Sequence, residues 1–234
     1  MKRTASAIVW TIALTAIPGL NSALTAQVAV ETGLSLDEYV NEILLGDGVE
    51  AFNITLTGGA SQLGYMTDGE DDFSIASGLV MSCDAAVNMA CALEPCMDCL
   101  GYDFDDPDLL DIANSVPPLI GQSFSVSGVT DGCVLEFDFI AAGDSVSFNY
   151  VFGSDEYETY VNTQYNDVFA FFLSGPGITG PYDSPAGFPG GAVNIAGVPE
   201  SDPNLPVTIS SVNSQTNSAY YIDNQSNNGV CVNG

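Results

Sequence analysis

The chain has 234 residues, of which two are basic and thirty are acidic, with no histidine and a net charge of −28. Lys2 and Arg3 are its only cations, so no residue beyond them can neutralise a phosphate backbone or form a side-chain salt bridge. Nucleic acid is thereby excluded as a partner, along with Ser-His-Asp, Cys-His and lysine-dependent phosphate chemistry.

The first residues read as a secretory signal. Lys2 and Arg3 form a charged start, residues 7–17 an apolar run broken by Pro18 and Gly19, and small residues lead up to Ala26. That run is shorter than the roughly 20 residues a bilayer core requires. Cleavage is expected after Ala26, with Ala23 as the alternative, and no later segment is long and apolar enough to span. The exported part, residues 27–234, is expected to be one domain.

Ser35 followed by Glu38 is a capping-box pattern. Leu36, Tyr39, Val40, Ile43 and Leu44 recur at helical spacing until Gly46 and Gly48 end the run. Strands are expected at residues 52–57 and 74–82, separated by an acidic turn over 67–72. Residues 83–111 show little periodicity and read as a cross-linked loop. Leu135, Phe137 and Phe139 alternate with acids, and Val146, Phe148, Tyr150 and Phe152 alternate with small polar residues. Both are period-2 patterns, expected to pair as a hairpin through residues 141–144. Residues 168–173 are apolar throughout, as in a strand buried on both faces, and a Gly- and Pro-rich loop follows. Later strands are expected at 193–196, 207–212 and 219–223. The fold class is mainly β: a jelly-roll-like β-sandwich with one short N-terminal helix and a disulfide-bearing loop.

Six cysteines in an exported chain favour disulfides. Cys83, Cys91, Cys96 and Cys99 crowd together, while Cys133 and Cys231 stand apart, and the pairing is left open. Zinc or thiol exchange at Cys96 and Cys99 is the weaker alternative, because no basic group is present to stabilise a thiolate.

Spread evenly over a folded surface, the carboxylates sit roughly 17 Å apart, beyond the ~8 Å screening length of physiological salt. Clustered acids need a cation. Asp103, Asp105, Asp106 and Asp108, with Asp111, form one cluster, and Asp155 and Glu156 with Asp167 form a second. Asp68, Glu70, Asp71 and Asp72 form a third. Calcium takes six to eight such oxygens, so the first two clusters are candidate calcium sites, and a solvated acidic face is the competing reading. A carboxylate pair for glycoside hydrolysis is a weaker third, with Asp155, Glu156 and Glu158 near Tyr157 and Tyr160. Glycan binding predicts that Tyr157, Tyr160 and Tyr165 are exposed beside the acids.

Residues 149–177, with Gly153, Ser154, Asp155, Glu156 and Tyr157 followed by Asn166, Asp167, Phe169 and Phe171, closely resemble the choice-of-anchor L domain family of bacterial surface proteins. The helix at 36–45 and the segments 46–49, 53–57, 77–80, 135–139 and 193–196 fit as well, so the resemblance runs over roughly residues 34–230. It implies a secreted module joined to varied C-terminal anchors, including sorting domains, and it implies neither a catalytic site nor a defined ligand. The function expected here is a non-catalytic surface module for adhesion or ligand binding. The expected partner is an extracellular glycan or protein, or neighbouring subunits of a surface assembly. The loop at 83–99 departs from the family as an insertion. The family's further strands past Asn224 are expected to be missing here, as in a fragment.

Overall fold

The computed structural model describes residues 28–90 and 105–223. The expected signal segment, Asp103, Cys91, Cys96, Cys99 and Cys231 lie outside these residues. The fold is mainly β, with small antiparallel sheets and few helices.

The capping box forms as the sequence predicts. The Ser35 backbone N–H and hydroxyl donate to Glu38 Oε2 at 2.8 and 2.7 Å, and Glu38 N–H donates back to Ser35 Oγ at 3.3 Å. These bonds hold the Glu38 carboxyl below its ordinary range. The helix beyond is π-wound over Glu38–Leu44, closing with a Leu45 N–H to Val40 carbonyl bond of 2.9 Å. It buries Tyr39 and Val40, and Tyr39 Oη ties it to the Leu63 carbonyl.

β1 (Ala29–Glu31), β3 (Leu63–Thr67) and β4 (Ser77–Met81) form a three-stranded sheet in the order β1-β3-β4. Val28, Met66 and Phe73 make the core beneath it, the last from the single helical turn α1 (Glu70–Phe73). β3 and α1 occupy much of the stretch expected to be an acidic turn and its approach. Gln62 is fully buried where β2 (Val49–Thr57) turns toward β3. Its side chain accepts from Gly59 N–H and donates to the Cys83 and Asp131 carbonyls.

Several expectations are corrected by the structure. First, Pro107–Leu119 is an α-helix, α2, rather than part of a featureless loop. Asp106 caps it, Pro107 occupies the first turn where no N–H is needed, and Ile112, Ala113 and Val116 form the buried stripe. Second, β5 (Val134–Ala141) pairs with β2 and not with residues 146–152. The β2–β5 register shifts between Phe52 and Thr55, where Asn53 takes φ 54° and its amide bonds Asp138 Oδ2. Residues 146–152 carry no ladder. Their alternation is spent on packing instead: Phe148 stacks on Phe171 at 4.4 Å, and Tyr150 meets Phe169 at 5.2 Å.

Third, the apolar run 168–173 is split and only half buried. β6 (Val168–Phe169) pairs with β9 (Val207–Thr208), and β7 (Phe172–Leu173) with β8 (Val193–Asn194). Between the two short strands, Phe171 N–H donates to Asn194 Oδ1, a side chain standing in for a ladder partner. Residues 218–220 form a 3-10 turn where a strand was expected. Val116, Val198, Leu205, Val207 and Val212 make the core of this half, with Tyr150, Phe152 and Tyr221 packed against it. The two described cysteines, Cys83 and Cys133, are not bonded to each other, and burial pushes the Cys133 thiol up to about 11.

Candidate functional site: the 154–167 turn

The candidate site is built on a buried polar turn at residues 208–213. Thr208, Ile209, Ser210, Ser211 and Asn213 are fully buried, which is tolerable only because their polar groups are bonded. Ser211 Oγ accepts from Thr208 N–H and donates to the Pro206 carbonyl. Asn213 uses its whole amide, donating to the Ile209 and Ser210 carbonyls and accepting from Gln215 and Thr216 N–H.

Residues 154–167 are tied onto this turn at three points. Tyr157 Oη donates to the Val212 carbonyl at 2.8 Å, Asn162 N–H donates to Ser210 Oγ at 3.0 Å, and Ile209 N–H donates to the Asp167 carbonyl at 3.2 Å. Tyr157 is therefore a buried strut and not an exposed ligand-facing ring, and burial raises its phenol well above the ordinary value. Tyr221 packs against it at 5.1 Å, its own phenol pushed up to about 12 by burial and by Glu158 and Asp223.

Of the acids expected to gather, Asp155, Glu156 and Asp167 share this turn. Ser154 Oγ donates to Asp167 Oδ2 at 2.7 Å and accepts from Glu156 N–H at 3.0 Å, so one buried hydroxyl links the two carboxylate-bearing ends. Burial raises the Asp167 carboxyl, as does the nearby Asp155 charge, while the Ser154 bond opposes the shift. Burial, then Asp167, then Asp155 push Glu156 up to about 7. Glu156 Oε2 is buried without a hydrogen-bond partner, as are the amide oxygens of Asn162 and Asn166. With no Lys, Arg or His after Arg3, only a proton or a cation from outside the chain can neutralise Glu156 and Asp167.

The other acids are placed differently. Asp106 Oδ1 accepts from Asp108 and Leu109 N–H as the α2 cap. Asp105 accepts from Val129 N–H, and Asp108 from Asp183 N–H. Burial raises the Asp108 carboxyl. These carboxylates serve backbone donors. The cluster at 68–72 surrounds the first turn of α1. Among the described residues, no three Asp, Glu, Cys or His side chains gather as a metal-holding group.

On the solvent side of the turn, Tyr160 and Tyr165 are 41% and 53% exposed and meet edge to face at 5.2 Å. Thr163 fixes the corner between them, donating to the Tyr160 carbonyl at 2.7 Å and accepting from Tyr165 N–H at 3.2 Å. Sequence reading singled out these tyrosines but missed the 208–213 turn that holds them. Its signal, a run of Thr, Ser and Asn flanked by Val207 and Val212, is more often read as a strand.

Elsewhere, Asn53, Thr55, Glu136, Asp138 and Pro185 line a shallow groove of about 140 Å³ on the β2–β5 ribbon. That is small beside the ~300–1,000 Å³ of ordinary ligand sites, although it holds two carboxylates. No described helix is long and apolar enough to cross a membrane.

No curated protein and no solved structure matches the chain. The choice-of-anchor L domain model matches it over residues 27–234, nearly the whole length. The chain belongs to the choice-of-anchor L domain family, and is thus a cell-surface or secreted module of bacterial surface-associated type.

Proposed function

We propose that this chain is a non-catalytic extracellular module for adhesion or ligand binding, a single domain borne in its full setting by a C-terminal anchor or sorting domain. The observation that carries this reading is the two-sided 154–167 turn. A buried polar frame fixes its inner side, and its outer side offers two exposed rings that meet edge to face. Rigid aromatic corners of this kind bind at low entropic cost. The family match begins at Gln27, one residue past the expected cleavage point, which supports residues 1–26 as a signal. A β-sandwich enclosing both cores, stapled by disulfides that involve the cysteine-rich loop, remains part of the proposal.

The test is display. Protease treatment of intact producing cells should release or degrade the protein, and the soluble chain should compete with those cells for their attachment surface. Protection of the protein inside intact cells would sink the reading.

We also propose that calcium neutralises the inner side of the turn. Glu156 and Asp167 carry the buried charge, and the exposed Asp155 would have to join them, because the three do not form a metal-holding group as they stand. The unsatisfied oxygens of Glu156, Asn162 and Asn166 are of the type calcium takes. Asp105, Asp106 and Asp108 are less suited, because each gives one carboxylate oxygen to a backbone donor and none leaves a buried oxygen unpartnered.

A second reading, a structural subunit of a surface assembly, draws on the β2–β5 ribbon. There Phe52 is 44% and Ile140 65% exposed, and a groove of about 330 Å³ opens beside Ile140 and Val49.

A further inference from the structure

We infer that the Tyr160–Tyr165 corner docks a basic protein partner, whose Lys or Arg side chains seat against the two rings. The inference rests on the binding-module reading and names the partner class. Three observations converge on it. An edge-to-face contact occupies one of the four ring faces, and with exposures of 41% and 53% the rings keep open surface. The ring quadrupole attracts cations held over such a face. The corner is also preformed, since Thr163 and the Asn162–Ser210 bond fix its backbone before any partner arrives.

Charge selects the partner. Every side-chain charge after Arg3 is negative, and Asp155 and Glu158 lie in the same turn as the rings. A field of one sign raises the encounter rate with basic partners and repels acidic ones, including uronic- and sialic-acid glycans. A neutral glycan would gain nothing from thirty carboxylates. A basic segment gains both the long-range attraction and the local ring contact.

General attraction to a polyanion must be separated from docking at this corner, and tyrosine substitutions do this because they leave net charge unchanged. The probe is a labelled twelve-residue peptide of alternating Arg, Lys and Ser, measured against the whole exported chain at about 150 mM salt, the regime of an ~8 Å screening length. A Ser/Gln peptide and a neutral β-linked hexasaccharide serve as comparators. The basic peptide should bind, more weakly as salt rises, and the Ser/Gln peptide should not. Tyr160→Ala with Tyr165→Ala should weaken binding roughly tenfold, the sum of two exposed ring contacts. Tyr160→Leu with Tyr165→Leu keeps apolar bulk if the alanine variant fails to fold, and should bind as weakly. The Phe pair should bind like the parent. Equal binding by the parent and the Leu pair would mean net charge alone is responsible, and would overturn the proposal, as would no binding of the basic peptide. Hexasaccharide binding that depends on the tyrosines while the basic peptide is indifferent would overturn the basic partner yet leave the binding module standing. Protein that stays protected inside intact cells would instead remove the module reading itself.

Discussion

Glu156 is the residue whose environment departs furthest from what its neighbours in sequence suggest. Asp155 beside it is exposed, whereas Glu156 buries an unpartnered oxygen and feels the Asp167 charge on top of that burial. Its folded value of about 7 lies above the ordinary 4.5, so the folded state binds its proton more tightly than the unfolded chain does. The associated stability is fully present below 4.5 and lost as pH rises through 7. In chelator, the melting temperature should therefore climb as pH falls from 8 toward 5. Glu156→Gln should melt higher than the parent at pH 8 and show a shallower climb. Asp167 and Asp108, both raised, contribute in the same direction and remain in the variant, while Glu38 is lowered and opposes them. Coincident melting profiles for parent and variant would show that Glu156 ionises freely in the folded state.

At the scale of elements, α2 shows what can be read from the sequence and what cannot. Asp106 bonds two backbone N–H groups, and losing such a cap costs about 1 kcal/mol. Asp106→Ala should thus lower the melting temperature by about 2–4 °C, and an unchanged melt would mean the helix does not need its cap. Asp106, Pro107 and the stripe Ile112, Ala113, Val116 are helix signals in plain view, but the acid run and Pro117–Pro118 mask them. Those prolines are accommodated near the C-terminal end, where α2 closes on the Ile120 N–H. The Ser35–Glu38 box was legible because it is wholly local. The pairing of β5 with β2 was not, since it joins residues far apart in sequence, from Thr57 with Val134 to Val49 with Ala141, and the period-2 pattern is silent about partners. The same limit explains residues 146–152. Alternation predicted the packed side of Phe148 and Tyr150 against the aromatic run, although Val146 at its start is exposed, and a face can be buried without a ladder. At the site, the acids and tyrosines were visible as residue types. The split of the turn into inner Tyr157 and outer Tyr160 depends on the distant 208–213 segment.

For the whole molecule, thirty carboxylates and a net charge of −28 set two responses to ions that can be told apart. Screening is generic: the Debye length falls from ~10 Å at 0.1 M to ~3 Å at 1 M, so sodium chloride should raise the melting temperature progressively. Ligation is selective. Calcium at 100 times its dissociation constant adds about 2.7 kcal/mol, or roughly 5–10 °C for a domain of this size, above sodium or magnesium chloride at matched ionic strength. Asp155→Asn or Asp167→Asn should remove that calcium-specific part and leave the sodium response intact. Equal shifts from all three salts would make the acids a solvated face alone. The buried knot between residues 154–167 and 208–213 has a further consequence, for how such a module changes over time. Its inner bonds run through the buried Tyr157, Ser210 and Asn213 side chains and the Asn162 backbone N–H. Gln164, Tyr165 and Tyr160 can be exchanged without touching those bonds, so the outer face is free to vary while the frame beneath it stays constant.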